Sequence, residues 1–279
     1  MREVAIVGAG ELGGLTAHVV ARRDVARSIV LIDENDAIAA GKALDVAQSA
    51  PIEGFATQLI GARDIASAAG ASVIVIADRM NGPWPIDDAI LLLKRIVVSA
   101  PRAVIVCAGS THHEIVERGV RDLRIDRRRL FGTAPEAFAS GARALVALAL
   151  NGSPHDVALS VLGVPPAHTV IPWEDATVGG FALTRQLDEP TRRAIAARVT
   201  ALWPPGPYAL ASAAALAIDV MAGRSRRRVC AFVAPDTASG VRERTAALPV
   251  RLSTTGIAEV MVPSLSVVER IALENAMQI

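Results

Sequence analysis

Two cysteines in 279 residues, Cys107 and Cys230, are too few and too far apart for a disulfide framework. Both fall in apolar, strand-like runs, so two buried thiols in a reducing cytoplasm are the expectation. No apolar run approaches the roughly 18 residues of a membrane span. The chain enters a strand within its first residues, which leaves no room for a signal peptide. Charge of one sign is also missing: 29 Lys and Arg against 28 Asp and Glu leave a net +1, with no global field to draw nucleic acid or an anionic membrane. Aromatics make up only 3% of the chain. The basic runs at residues 124–129 and 224–228 therefore have no aromatic platform beside them and read as solvated edges. His112 and His113 are adjacent and lack the i, i+4 spacing of a metal pair, so no metal is expected. They follow an apolar strand, where they could touch a ligand, although capping or exposure at a helix start is the plainer reading. What remains is a soluble chain long enough for one or two domains.

What is present is concentrated at the start. Glu3-Val4-Ala5-Ile6-Val7 is a β-branched run, and Gly8-Ala9-Gly10-Glu11-Leu12-Gly13 follows it. A helical pattern begins there, with Leu12, Leu15, Val19 and Val20 on one side. A second apolar run, Ile29 to Ile32, ends in Asp33. Strand, glycine turn, helix, strand and acid each have a task in holding an adenine dinucleotide. Gly8 permits the tight turn, Gly10 lets backbone approach a pyrophosphate, and Gly13 lets helix and strand pack closely. The backbone N–H groups around Gly10, Glu11, Leu12 and Gly13 point the positive end of the helix at the phosphates. Asp33, about 20 residues beyond the last glycine, is placed to accept from a ribose 2′-hydroxyl. Its charge repels a 2′-phosphate, so NAD is expected over NADP. A tightly packed βαβ unit that binds nothing is the alternative reading of the same residues.

Further helices are expected at residues 37–49 (capped by Asn35 or Asp36, stopped by Pro51), 87–99, 133–150, 188–203, 208–221 and 267–277, the last with Ile271, Leu273 and Ala276 inward. Strands are expected at 56–60, 73–77, 103–107, 157–162, 169–171, 229–233, 249–252 and 257–262. Thr133-Ala134-Pro135-Glu136 has capping-box spacing with proline just inside the helix. Regular alternation in the first half implies a parallel, doubly wound sheet, and the mixed strands after it imply a second unit. The expected fold class is α/β: an N-terminal Rossmann domain, residues 1–133, then an α+β substrate-type domain, residues 134–279.

Three segments resemble the lactate/malate dehydrogenase family: VAIVGAGELGG, VLIDENDAIAAGKALDVAQSAPIEGF and YALASAAALAIDVMAGRSRRRVCAFV. Val178-Gly179-Gly180 and the ending GIAEVMVPSLSVVER match in pattern, and the resemblance spans essentially the whole length. It implies an NAD domain, a substrate domain and a cleft between them for a small 2-hydroxy or 2-oxo acid. It also implies a homodimer or homotetramer with the helix at 37–49 in a subunit contact. In such a family hydride passes to nicotinamide while a histidine takes the hydroxyl proton. An aspartate orients that imidazole, and arginines clamp the substrate carboxylate.

At the matching positions this chain carries other residues. Pro165 stands where the histidine is expected, and Phe138 and Gly141 stand at the aspartate and arginine of D-x-x-R. Ile86 precedes Asp87-Asp88 in place of the loop arginine, and Ala108 or Gly109 replaces an asparagine. His168 is the nearest substitute base, with Glu174 or Asp175 as its partner acid, although a surface histidine at a strand end is the plainer reading; Arg79 is the substitute carboxylate ligand, with a solvated loop charge as the plainer reading. Arg143, two residues beyond the lost arginine position, faces elsewhere on its helix. Two functional readings follow. One is an NAD-dependent oxidoreductase scaffold with displaced groups, for which ordinary malate or lactate turnover is not expected. The other is a catalytically silent NAD(H)-binding protein acting as sensor or partner subunit.

Overall fold

The β-branched runs of the first half assemble side by side. In the computed structural model, which describes residues 1, 3–236 and 244–278, β1 (Glu3–Val7) pairs in parallel with β2 (Ser28–Ile32), and β2 with β3 (Gln58–Ala62). On the other side of β1 lie β4 (Val73–Ile76), β5 (Val104–Cys107) and β6 (Leu130–Gly132), again parallel. Alternate residues face opposite cores. Val4, Ile6, Ile29, Leu31, Val73 and Val75 pack with α1 (Glu11–Arg22) and α2 (Asp36–Glu53). Ala5, Val7, Val30, Ile32, Ile74 and Ile76 pack with α3 (Ile86–Ser99) and α4 (His113–Leu123). Burial on both faces is why these strands read as unbroken apolar runs.

The second half begins with α5 (Ala134–Ala149) and continues through β7 (Val157–Ala158), β8 (Leu162–Val164), β9 (His168–Val170), β10 (Thr177–Val178) and β11 (Phe181–Ala182). Then come α6 (Glu189–Thr200), α7 (Pro207–Met221), β12 (Val229–Val233), β13 (Ala246–Ser253), β14 (Gly256–Val260) and α8 (Val267–Met277). β12 joins β6 antiparallel through Phe232 and Gly132. One sheet therefore runs β3-β2-β1-β4-β5-β6-β12-β13-β8-β9, with β14 on β13, while β7, β10 and β11 form a separate small sheet. α7 lies against α1 and α5. Among the described residues no helix is long and apolar enough to cross a membrane. Cys107 and Cys230 are buried free thiols, as expected.

Several local expectations shift. α2 continues through Pro51 to Glu53 and ends on left-handed Gly54, φ 78°. The proline sits in the last, exposed turn, where its missing N–H removes a single bond at a solvated end. The strand expected at 56–60 starts two residues later, since Thr57 is held sideways by its hydroxyl bond to Ala26 O (2.8 Å). The strand expected at 157–162 divides between β7 and β8, which enter different sheets. The capping box at Thr133 does not form: the Thr133 hydroxyl is buried without a partner among the described residues, and Glu136 turns inward. Ser266 and Glu269 make a complete capping box instead, at the start of α8. On α8, Leu273 and Ala276 are buried while Ile271 is half exposed, because the helix meets its neighbours along a narrow stripe.

Candidate functional site

β1 runs into Gly8, whose φ of 101° is a conformation glycine adopts without strain, and the Gly8 N–H donates to Ile32 O (2.8 Å). A Cβ at Gly13 would lie 1.8 Å from Gly8 O, so only glycine lets α1 start this close to β1, as the sequence predicts. Gly10 departs from that expectation, because the chain itself occupies the space beside it. A Cβ there would meet Asp78 Cγ at 2.5 Å and Arg79 O at 2.6 Å. The Gly10 N–H donates to Asp78 O (3.1 Å), and the Gly13 N–H donates to Asp78 Oδ1 (3.0 Å). From the other side Lys42 Nζ donates to Gly10 O (2.6 Å). Glu11 and Leu12 occupy the first helical turn, where geometry supplies no intrahelical acceptor for their N–H groups.

Asp33 ends β2. Its Oδ2 accepts from the Ala9 N–H (2.8 Å) and its Oδ1 from the Asn35 N–H (3.0 Å). Two such bonds orient the carboxylate and leave each oxygen a further lone pair. The carboxylate borders a cleft of about 510 Å³ with apolar walls from Ile32, Ile38, Ile65, Leu91 and Leu92, and with Arg63, Arg79 and Arg95 around it. The cleft opens at the carboxyl ends of the parallel strands, the position where open α/β sheets bind ligands.

Arg79 lines this same cleft. Its Nη1 pairs with Asp88 (3.3 Å), and its guanidinium lies 4.9 Å from the Trp84 ring centroid. Its Nε is buried with no acceptor among the described residues. His168 lies elsewhere. The Pro165-Pro166 turn leads into β9, an edge strand, where His168 is exposed with no side-chain partner among the described residues. Asp175, an anticipated partner, pairs with Arg228 instead (3.6 Å). β4 and β9 are six strands apart along the sheet, roughly 30 Å at about 4.8 Å per strand. The structure thus keeps Arg79 with Asp33 and the glycine loop, and leaves His168 outside that group.

The matching positions on α5 are apolar and filled. Phe138 is buried and meets Trp203 edge-on (5.3 Å between centroids, 84°), and Trp203 meets Phe232 in the same way (6.1 Å, 79°). A Cβ at Gly141 would stand 2.8 Å from Leu202 Cδ1. Two residues outside these positions, at either end, is a charged pair that sequence reasoning missed. Arg143 Nη1 bonds Glu136 Oε1 (2.6 Å), the Cys230 N–H donates to Glu136 Oε2 (2.8 Å), and Arg143 Nε donates to Leu159 O (2.9 Å). Burial alone would lower the Arg143 pKa, but the charge and hydrogen bond of Glu136 outweigh it and raise it. The i, i+7 spacing of Glu136 and Arg143, two helical turns, was the available signal. His112 stands at the N-cap position of α4 but makes no side-chain cap bond; its buried Nδ1 accepts from the Gly109 N–H (3.0 Å) instead. Burial, helped by repulsion from His113, pushes its pKa down to about 4, so the ring is a neutral acceptor. Among the described residues no cluster of three His, Cys, Asp or Glu could hold a metal ion.

No family model matches the chain. Its relatives are consistent with one another. It is 29% identical to the malate dehydrogenase of Thermomicrobium roseum over 295 residues, covering 99% of this chain and 94% of that one. It is 30% identical to the malate dehydrogenase of Thioalkalivibrio sulfidiphilus over 199 residues, covering 68% and 65%. Among solved structures, the malate dehydrogenase of Salinibacter ruber superposes with a TM-score of 0.87 at 24% identity, covering 98% and 93%. The lactate dehydrogenase of Cryptosporidium parvum, complexed with lactic acid and nicotinamide adenine dinucleotide, gives 0.89 at 21%, covering 99% and 94%. At such identities the two structures share its fold. With a relative matched along 99% of this chain, another 30% identical, and two solved structures superposing over nearly its whole length, the chain belongs to the lactate/malate dehydrogenase family.

Proposed function

We propose that this chain is an NAD(H)-binding member of the family that no longer oxidises malate or lactate and serves as a nucleotide-dependent sensor or partner subunit. The Phe138–Trp203–Phe232 cluster carries the reading: Phe138, packed on Trp203, stands where the resemblance calls for an aspartate, and Gly141 stands where it calls for an arginine. Nothing there can orient an imidazole or clamp a carboxylate. A positioned acid–base contributes about 10²–10⁴ in rate. A hydrogen bond to a charged group contributes about 1.5–3 kcal/mol. Losing both kinds leaves little of the ordinary reaction.

The residues present fit the adenosine half of NAD. Asp33 would take the ribose hydroxyls, and Ile32, Ile38 and Ile65 would flank the base in the adjoining cleft. Gly8, Gly10, Glu11, Leu12 and Gly13 offer backbone at the pyrophosphate position, although Asp78 already occupies part of it. Thr133 Oγ1, buried at the carboxyl end of β6 and without a partner among the described residues, is a hydrogen-bonding group that a nicotinamide-side substituent could satisfy. When bound, the nicotinamide supplies a hydride acceptor or donor. Residues 1–133 would be the nucleotide-binding half and 134–279 the partner-facing half. A homodimer or homotetramer contact is assigned to α2, where Leu44 and Ile52 are 60% and 88% exposed. The two buried thiols are in keeping with a cytoplasmic location.

A second reading, an oxidoreductase with displaced groups, has one observation in its favour: the Arg79 Nε–H, without an acceptor among the described residues, could donate to a substrate carboxylate. Titrating NADH and then offering a panel of 2-oxo acids separates the two. Saturable NADH binding that Asp33→Ala weakens, with no turnover above that of the His168→Ala variant, supports the proposal. Turnover that drops a hundredfold in His168→Ala or Arg79→Ala replaces it with the second reading. Absence of NADH binding removes both.

A further inference from the structure

The segment after β4 does something to the glycine loop that a nucleotide site does not need. Asp78 places a carboxylate oxygen 3.0 Å from the Gly13 N–H, at the third position of α1, and its Cγ fills the space beside Gly10. Carboxylate and phosphate oxygens compete for the same donors at a helix N-terminus, since both are anionic acceptors favoured by the dipole. Among the described residues Asp78 has no cationic partner. Lys42 is committed to the Gly10 carbonyl on the opposite side of the loop, and Arg79 is turned toward Asp88 and Trp84. Exposed Glu11 adds a second negative charge at the same helix start.

We infer that Asp78 is a resident anion in the pyrophosphate position. It sets the ligand preference of this site, admitting an adenosine-type nucleoside freely and penalising a dinucleotide for its phosphates. This rests on the nucleotide-binding reading above and refines it. The adenosine end, at Asp33 and the apolar cleft, is independent of Asp78, because Asp33 is oriented by Ala9 and Asn35. The phosphate end is not independent. An incoming pyrophosphate must either displace the Asp78 carboxylate from Gly13 or sit beside it against like-charge repulsion, which is strong in a partly buried site. In effect the loop is supplied with its own anion. Asp78 acts here as a specificity-determining group at the ligand site, with no part in proton or hydride transfer.

The test compares adenosine and NADH binding to the full chain by calorimetry at low salt, for wild type and for Asp78→Asn. Asparagine preserves shape and can still accept from the Gly13 N–H, but it removes the charge. The wild type is expected to bind NADH no more than about threefold tighter than adenosine. In Asp78→Asn the NADH affinity is expected to rise about tenfold or more while adenosine changes less than twofold, and added salt should shrink that gain. Asp78→Ser is measured alongside, and the same ratio decides should the asparagine variant fail to fold. An unchanged NADH-to-adenosine ratio in a folded variant overturns the inference and leaves NAD binding standing. A wild type that already prefers NADH by a hundredfold does the same. If neither ligand binds wild type or variant, the nucleotide-binding reading falls and takes this inference with it.

Discussion

At the scale of single residues, glycines that look alike in sequence carry different burdens. Gly13→Ala would put a Cβ 1.8 Å from Gly8 O, a backbone atom that cannot step aside. Overpacking of this kind costs about 1–3 kcal/mol or more, so its urea midpoint should fall sharply. Gly14→Ala meets only the Lys42 side chain at 3.3 Å, which can yield, and gains up to about 1 kcal/mol of helix propensity. The same denaturation assay should find it neutral or stabilised. His112 gives a pH prediction. Its pKa is about 4 when folded against 6.5 for an unperturbed imidazole, so between those values the unfolded chain binds the extra proton. Its contribution is fully present above 6.5 and is lost as pH falls toward 4, at up to about 1.4 kcal/mol per pH unit. A His112→Gln variant, followed by denaturant midpoints from pH 7 to pH 4.5, should show a flatter acid decline than wild type. Asp33 was legible in the sequence because its distance from the glycines is set by one local βαβ unit. Asp78 was not, because its bond to Gly13 spans 65 positions and no local pattern encodes it.

At the scale of elements, the parallel strands could be placed from periodicity alone, since burial on both faces requires apolar residues at every position. Helix ends were harder. Thr133 and Glu136 have capping-box spacing, yet Glu136 is 3% exposed and faces Arg143 and Cys230. Spacing does not reveal which way a first-turn glutamate turns; the neighbour that claims it, β12, arrives almost a hundred residues later. The Glu136–Arg143 pair ties α5 to β12 and to the chain at Leu159, and removing one member strands a buried charge. Glu136→Ala is therefore expected to lose about 3–5 kcal/mol in chemical denaturation. A matched apolar double replacement, Glu136→Leu with Arg143→Met, should lose less than the single change, because no lone charge is left inside.

At the scale of the whole molecule, the family's fold is kept while α5 carries Phe138 and Gly141 packed against Trp203 and Leu202. Restoring the expected side chains is therefore not expected to restore turnover. Phe138→Asp would put a carboxylate at a fully buried position against Trp203, and Gly141→Arg would push a guanidinium onto the partly exposed Leu202 side chain. We expect a loss of about several kcal/mol of stability, read as a lower melting temperature by circular dichroism, and no malate oxidation. A folded double variant with measurable turnover would show that the aromatic cluster is a recent filling of a competent site. The single sheet crossing residue 133 through β6 and β12 explains the coupling: the ring of Phe232 stands on the strand that joins the two halves.

The sequence by itself determined the strand and helix order, the glycine turn at Gly8 and Gly13, the placement of Asp33 and the family. Each of these depends on residues close in the chain or on a periodic pattern of burial. Tertiary structure alone decided that Asp78 fills the glycine loop, that Glu136 pairs with Arg143, that Trp203 and Leu202 close over α5, and that His168 stands on an outer edge. Those outcomes come from segments tens to hundreds of residues apart competing for one space, and which side chain wins is settled by packing and desolvation once the chain has collapsed.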